Sequence, residues 1–170
     1  MPVIAVPEPS LVVLVGAAGS GKSTFAGRWF SSDEVLSSDR LRGILTGDES
    51  DQRASRTAFS IIHREVGRRL TAGRLVVVDA TSAKRTSRRP LTVLAARARV
   101  PSIAIVFALP AAVVLERNAA RTERVVAPEI VEGHLALVAR LDAPTLLAEG
   151  FAAAHILRSD GDVAAAVVAR

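Results

Sequence analysis

A glycine-rich segment near the start of the chain has the residue types and spacing that hold a phosphate group. Residues 16–23 read GAAGSGKS, which satisfies G-x-x-x-x-G-K-[ST], directly after an apolar run and before a helical stretch. Glycines let backbone N–H groups turn toward a phosphate, and the helix N-terminus adds partial positive charge. The alternative is a glycine-rich turn that matches by chance. We predict a bound nucleoside triphosphate, ATP, contacted by Gly16, Gly19, Ser20, Gly21, Lys22, Ser23 and Thr24.

The chemistry assigned to this segment is divided between two side chains. Lys22 is expected to reach the β- and γ-phosphates, and the Ser23 hydroxyl to take a position on Mg²⁺. Asp79 ends the apolar run VVVD in the form expected of a second Mg²⁺-orienting oxygen ligand. For Asp79, the alternative is an aspartate that simply ends a strand in a turn.

A second carboxylate, Asp39, follows the short apolar segment 35–37. A parallel sheet would place it at the carboxyl edge of a strand beside the phosphate segment, where ligands of open α/β sheets collect. There it is predicted to accept a proton from an incoming hydroxyl, with Arg42 one helical turn on to orient it or to bind an anionic acceptor. A structural alternative is that Asp39 caps the helix that follows.

Two arginines four residues apart, Arg117 and Arg121, lie near the end of a predicted helix at 111–121. On one helical face their guanidinium groups would converge on a triphosphate and stabilise charge on the transferring phosphoryl group. The alternative is Glu–Arg pairing on a solvated helix face.

The elements that must position these residues alternate along the chain. Residues 1–10 predict an irregular lead-in. Apolar runs at 11–15, 35–37, 75–78, 103–108 and 154–157 predict strands, and stretches with helical periodicity predict helices at 22–30, 54–71, 87–99, 111–121, 129–147 and 163–170. The pattern favours one α/β domain over residues 1–170, with a parallel sheet covered by helices on both faces.

The composition of the chain excludes several classes of protein and several kinds of site. The chain has 170 residues, a formal charge of +5 and no cysteine, which excludes disulfides and thiolate zinc sites and favours the cytoplasm. The first residues have no signal-peptide pattern, and no apolar run approaches membrane-spanning length. Lys84 is interpreted as a surface residue. The histidines, which lack metal-ligand spacing, are interpreted as structural residues with satisfied hydrogen bonds: His63, His134 and His155.

Taken in order, six segments resemble one family. They are GAAGSGKSTFA, SSDRLRG, Asp51 with Gln52, RLxxGRLVVVDAT, ERNxxRT and EGF at 149–151. Over about residues 11–157 the chain resembles the kinase domain of bacterial polynucleotide kinase-phosphatase, an RNA-repair enzyme. The resemblance implies a P-loop kinase fold with an arginine-bearing helical lid. The family often has Asn after VDAT, where this chain has Ser82.

The resemblance also implies residue roles. Lys22 and Ser23 would bind phosphate and Mg²⁺, Asp39 would be the general base on a 5′-hydroxyl end, and Arg42 would assist it. Arg117 and Arg121 would contact the ATP phosphates, while Gln52 and Arg124 match motif positions that would contact the substrate.

These roles imply transfer of the ATP γ-phosphate to single-stranded RNA or DNA, with no membrane partner. The family's phosphatase and ligase modules are absent from these 170 residues, so either a stand-alone kinase or a domain of a longer protein is expected, with partner modules in the same or another chain. A kinase of a small-molecule hydroxyl and a nucleotide-dependent binding module without turnover stay open as alternatives.

Overall fold

The central feature of the fold is a five-stranded parallel sheet. The structure is a computed structural model, and it describes residues 3–48, 51–122 and 124–170. Strand order in the sheet is β3-β4-β2-β5-β6, and all neighbours are parallel. Among the described residues the strands are β1 (Val3–Ala5), β2 (Leu11–Val15), β3 (Val35–Ser37), β4 (Val76–Asp79), β5 (Ser102–Phe107), β6 (Ala153–Leu157) and β7 (Val167–Ala169).

Helices cover both faces of this sheet, as the sequence predicts. Strands β2, β4 and β5 are buried along their whole length, because alternate side chains enter two separate apolar clusters. The helices are α1 (Lys22–Trp29), α2 (Ser38–Thr46), α3 (Ser55–Thr71), α4 (Arg85–Ala98), α5 (Ala111–Ala119), α6 (Pro128–Val138), α7 (Ala143–Ala148) and α8 (Asp160–Ala165), with a 3₁₀ turn at Gln52–Ala54.

The two ends of the chain depart from the sequence prediction. The lead-in contains β1, and the predicted helix at 163–170 is wrong, because α8 ends at Ala165 and the chain continues as β7. These two strands pair in parallel, Val3 opposite Val167 and Ala5 opposite Ala169. Adjacent valines favour an extended backbone, and Ile4 is fully buried between the strands and the core.

The predicted helix at 129–147 is divided in two. α6 ends at Val138, and Asp142 begins α7 by accepting a hydrogen bond from the Thr145 N–H at 2.9 Å. Pro144 lies in the first turn of α7, where its missing N–H costs nothing, whereas in a continuous helix it would lose the hydrogen bond to the carbonyl four residues back and crowd that carbonyl. No helix in the described ranges is long and apolar enough to cross a membrane.

Strand register brings the predicted functional residues to one edge of the sheet. Asp79 at the end of β4 lies opposite Ser37 on one side and Leu14 on the other. The phosphate segment and the start of α2 therefore emerge beside Asp79.

Candidate active site

The glycine-rich segment joins β2 to α1 in the strand–loop–helix arrangement that the motif requires. Gly21 precedes the first turn of α1 with φ 90°, a left-handed conformation that favours glycine. α1 has no side-chain cap and no acidic residue in its first turn, so its first N–H groups are available to an anion. A Cβ at Gly19 would lie 2.7 Å from the Val114 carbonyl oxygen, so this loop rests closely against α5.

Lys22 is buried beneath the loop. Its Nζ donates to the Ala17 carbonyl oxygen at 2.9 Å. Burial lowers the pKa of Lys22 from its ordinary value of 10.5 to about 8; Asp79 opposes this shift, and Arg121 and Arg124 add to it. A bound triphosphate would supply the negative charge that this buried ammonium lacks.

This pKa predicts proton uptake when nucleotide binds at alkaline pH. Free Lys22 loses its proton as the pH rises through about 8, whereas a bound phosphate raises its pKa again. At roughly pH 9, ATP binding should therefore take up most of one proton, and ATP affinity should fall between about pH 7 and 9. Calorimetry in two buffers of different ionisation enthalpy measures this uptake. The Lys84→Met variant should behave as wild type, and no uptake at pH 9 would contradict the prediction.

Ser23 and Asp79 place two oxygen ligands side by side. The Ser23 hydroxyl donates to Asp79 Oδ2 at 2.6 Å, joining the start of α1 to the end of β4. These hard oxygen donors fit Mg²⁺, which is commonly held by one or two protein oxygens together with substrate phosphates. The described residues contain no cluster of three or more His, Cys, Asp or Glu side chains that could hold a metal ion.

Asp39 lies in the first turn of α2, paired with two arginines. Ser37, not Asp39, caps this helix by accepting a hydrogen bond from the Arg40 N–H at 3.3 Å, so the capping alternative is wrong. Arg42 donates to Asp39 Oδ1, and Arg124 forms an ion pair with Asp39 Oδ2. Both guanidinium groups are largely buried, which holds the carboxylate in one orientation.

The predicted helical face shared by Arg117 and Arg121 does not form, because α5 ends at Ala119. Arg117 lies in its last turn and pairs with Asp160 Oδ1 at 2.9 Å, while Arg121 lies in the segment beyond. The buried amide of Asn118 ties that segment at both ends: its Nδ2 donates to the Val126 carbonyl at 2.7 Å, and its Oδ1 accepts from the Val126 N–H at 3.1 Å.

These side chains meet in one cleft of about 500 Å³, which we call the phosphate cleft. Two buried polar atoms of its lining have no hydrogen-bond partner, Ser20 Oγ and Arg124 Nε. An oxygen of a bound phosphate would supply the missing partner of Arg124 Nε, whereas Ser20 Oγ lies against Gly16. The cleft is lined by Gly19, Ser20, Gly21, Lys22, Ser23, Thr24, Asp39, Asp79, Arg117, Arg121 and Arg124, among others.

Three predicted residues lie apart from this lining. Gly16 is buried behind the loop, where an added Cβ would lie 2.6 Å from Ser20 Oγ. Arg42 lines an adjoining pocket and reaches the phosphate cleft through Asp39. The side chain of Gln52 lies outside the described part of the structure.

A buried ion pair supports the loop that follows β4. Arg88 of α4 makes two hydrogen bonds to Glu149, at 2.8 and 2.7 Å, and donates to the Ser82 and Ala83 carbonyls at 2.9 and 2.7 Å. Ser82 has φ 47°, a left-handed conformation that asparagine adopts more readily than serine. Since the neighbouring Thr81 carbonyl accepts the Gly16 N–H at 3.0 Å, this pair fixes the base of the phosphate segment.

Sequence reasoning missed two parts of this arrangement. Nothing in the local pattern around Arg88 indicates a partner 61 residues away. Arg124 was expected to contact the substrate, and it lines the phosphate cleft, but its ion pair with Asp39 was not predicted. The approach of Arg124 to Asp39 depends on tertiary packing, which the sequence does not display.

Comparison with known proteins identifies the family. A family model described as an AAA domain matches residues 11–143, and no curated protein sequence matches the chain. The solved structures described next are 20–24% identical to it, so their similarity concerns the fold alone.

Three of these structures belong to different kinds of protein. A chain of the Pnkp1/Rnl/Hen1 RNA repair complex is 24% identical, with a TM-score of 0.66 over 78% of this chain and 45% of that one. Chaetomium thermophilum Kti12, in complex with ADP-AlF3, is 20% identical, with a TM-score of 0.65 over 91% and 93%. A Sinorhizobium meliloti gluconokinase is 20% identical, with a TM-score of 0.56 over 94% and 87%.

The strand–loop–helix phosphate site and the parallel sheet agree with these neighbours. Because the family model covers most of the chain, the protein belongs to the AAA-domain family, as a nucleotide-binding domain with a P-loop kinase-like fold.

Proposed function

We propose that this protein is an ATP-dependent polynucleotide 5′-hydroxyl kinase that phosphorylates single-stranded nucleic acid ends during RNA repair. The observation that carries the proposal is the position of Asp39, which lines the same cleft as Lys22 and Ser23. A carboxylate facing a phosphate loop can receive the proton of an attacking hydroxyl. This placement favours transfer to a hydroxyl over nucleotide binding without turnover.

The proposed reaction is an in-line transfer. The acceptor oxygen forms a bond to the γ-phosphorus as the bond from that phosphorus to the bridging oxygen of ADP breaks, and the hydroxyl proton goes to Asp39. Lys22, Arg117 and Arg121 line the cleft where negative charge is spread over the transferring group. Arg42 and Arg124 hold Asp39 in place. Mg²⁺, bound through Ser23 and Asp79, would neutralise phosphate charge and orient the triphosphate.

A polynucleotide acceptor is favoured by the order of the motifs along the chain. The phosphate segment, SSDRLRG, VDAT and ERNxxRT occur in the order and spacing of bacterial polynucleotide kinase-phosphatase. Their chemistry-bearing residues converge in space, since Asp39, Asp79, Arg121 and Arg124 all line the phosphate cleft. In this proposal, phosphatase and ligase partners act on the same ends from other modules.

The test uses ATP labelled at the γ-phosphate and a single-stranded oligonucleotide with a 5′-hydroxyl. We expect label at the 5′ end of RNA or DNA, and none on the same oligonucleotide carrying a 5′-phosphate. Transfer to gluconate or another small hydroxyl acceptor, with none to any oligonucleotide, would identify a small-molecule kinase instead. Absence of all transfer would leave a binding module.

Salt dependence provides an independent check on a polynucleotide acceptor. Arginines that contact backbone phosphates displace condensed counterions, so acceptor affinity should fall with salt. For about two to four phosphates, the log–log slope should be near −1.5 to −3 at saturating ATP. An acceptor KM that stays constant between about 50 and 200 mM salt would argue against a phosphate-tracking surface.

Arginine geometry at the cleft yields a further prediction. Arg117→Lys and Arg121→Lys should be nearly as damaging as the alanine variants, because lysine cannot reproduce planar bidentate contacts with a phosphate. A loss of at least about tenfold in kcat is expected for Arg121→Lys. The control is Arg97→Lys, an exposed position on α4. Full activity in both cleft variants would show that these arginines do not act on the triphosphate.

A further inference from the structure

Two neighbouring helices, α3 and α4, carry the net positive charge of the molecule. Together they contain eight arginines and one glutamate, whereas the rest of the chain has 14 basic and 16 acidic residues. Helices α5, α6 and α8 have the opposite balance, with five acidic side chains and one arginine. A uniform preference for arginine would spread this charge evenly along the chain. Its concentration on two helices therefore favours a surface that binds a polyanion.

Six of these arginines form one exposed row on each helix, which we call the arginine rows. At about 100° per residue, the three members on each helix fall within an arc of about 120°. All six are exposed, and within the described part of the chain five of them have no ion pair; Arg68 is paired with Glu65. The rows are Arg56, Arg64 and Arg68 on α3, and Arg85, Arg89 and Arg97 on α4.

The two rows lie side by side on one face of the protein. Val66 of α3 and Leu91 of α4 belong to the same apolar cluster, so both helices cover the same side of the sheet. An added Cβ at Gly67 would lie 3.4 Å from Leu94 Cδ2, so the helices pack closely. Each helix leads back to the start of a parallel strand, β4 or β5. Both helices therefore begin at the edge of the sheet that carries the phosphate cleft and extend away from it.

The beginnings of both rows are connected to the phosphate cleft by a second pocket of about 300 Å³. This pocket shares Thr81 and Arg124 with the lining of the cleft. The first turns of the two helices also line it, through Ser55 of α3 and Ser87 of α4. An extended chain whose end lies at Asp39 can thus continue past this pocket onto the arginine rows.

The length and chemistry of the rows suit a nucleic acid strand better than a protein partner. From Arg85 to Arg97 the row extends about 18 Å, at 1.5 Å per residue, which spans several backbone phosphates. Planar guanidinium groups match the oxygens of a phosphate. Among the large apolar side chains of the described α3 and α4, Val93 is the exposed one, at 39%. The surface therefore lacks the apolar centre that is typical of a protein interface.

We propose that the arginine rows bind the sugar–phosphate backbone of the acceptor strand, on the nucleotides that follow its reacting 5′ end. The proposal rests on the kinase function given above and extends it to a surface outside the cleft. Contacts to backbone phosphates position a strand without reading its bases. Acceptor affinity should therefore increase with the length of the strand and depend little on its sequence.

The test combines Arg64→Gln with Arg89→Gln, two substitutions outside both pockets. For a 5′-hydroxyl strand of about twelve nucleotides, we expect the acceptor KM to rise at least about fivefold. The log–log salt slope should become about 1.4 shallower, because each contact to a single strand contributes about 0.7. A 5′-hydroxyl dinucleotide is too short to reach both positions and should keep its KM. Both kcat and the KM for ATP should be unchanged.

The matched control combines Arg140→Gln with Arg158→Gln. It also removes two exposed positive charges, but these lie outside α3, α4 and both pockets. The KM for the long strand should stay at the wild-type value. If both double variants raise this KM equally, or if neither does, the arginine rows do not bind the strand, although the kinase proposal stands.

Direct binding separates the two proposals if no oligonucleotide is phosphorylated, a result that would refute the polynucleotide kinase. The fluorescence anisotropy of a labelled single strand should then show at least about fivefold weaker binding to the Arg64 and Arg89 double variant than to the wild type. Equal binding would overturn the arginine rows as a nucleic acid surface. Poly-glutamate of the same net charge serves as competitor. If it displaces the labelled strand as well as an unlabelled strand does, the rows fit an acidic protein, and the nucleic acid assignment is wrong.

Discussion

Replacing Asp39 with alanine should lower kcat by about 10²- to 10⁴-fold, the usual contribution of a general base, while ATP binding is retained. The reason is geometric, since Asp39 faces the phosphate cleft but lies on α2, apart from the loop that holds the triphosphate. Radiolabel transfer gives kcat, and calorimetry gives the ATP dissociation constant. Asp39→Asn should be comparably inactive, because the amide preserves the shape of the side chain but cannot take the proton.

The control for this prediction is Asp33→Asn, an exposed aspartate whose ion pair with Arg74 lies at the surface. It should keep wild-type activity. An Asp39→Ala protein that turns over within about threefold of wild type would remove Asp39 from the reaction. If both transfer and ATP binding were lost, the role of Asp39 would be structural.

Glu149→Ala should destabilise the fold by about 3–5 kcal/mol, because it leaves the Arg88 guanidinium buried without its carboxylate. Side-chain exposure is 2% for Arg88 and 8% for Glu149. Such a loss is a large part of the roughly 5–15 kcal/mol that keeps an ordinary domain folded. Urea unfolding measures the change in the free energy of unfolding.

The matched control is Glu65→Ala, which breaks a similar pair with Arg68 on the surface, where the exposed fractions are 26% and 61%. Its cost should be below about 1 kcal/mol. If Glu65→Ala and Glu149→Ala lowered the free energy of unfolding equally, burial would not make the Arg88–Glu149 pair more important for stability than a surface pair. A destabilised but folded Glu149→Ala protein should also bind ATP more weakly, because Arg88 holds the loop next to Thr81.

Local pattern predicted the phosphate segment and the strands at the centre of the sheet. Branched runs such as β2 are buried on both faces, so their sequence directly reflects their position. Asp39 and Asp79 could be placed at one edge because parallel strands end together. β1 and β7 could not be predicted, although β3 is as short, because these two strands pair with each other from opposite ends of the chain and not with the central sheet.

The parts of the site that escaped prediction depend on long-range contacts. α5 ends before Arg121, so the helical spacing of four residues predicted the wrong geometry for Arg117 and Arg121, although both line the phosphate cleft. Lys84 was correctly placed at the surface, but its contribution to a pocket depends on α6, which supplies His134 and Ile130 from far along the chain. Tertiary packing decides which charged surface residues line the same pocket, and this cannot be derived from a single sequence.

The two hydrogen bonds between the Asn118 side-chain amide and the Val126 backbone affect every turnover in the cleft. They tie together the ends of the segment that carries Arg121 and Arg124, so the entropy of closing this loop is lost once, during folding, and not each time a substrate arrives. The number of residues between the two anchors then sets how far each arginine can extend. An inserted residue between Asn118 and Val126 would leave every functional side chain chemically intact, yet shift Arg124 away from Asp39; the same insertion beyond Val126 would leave this contact in place.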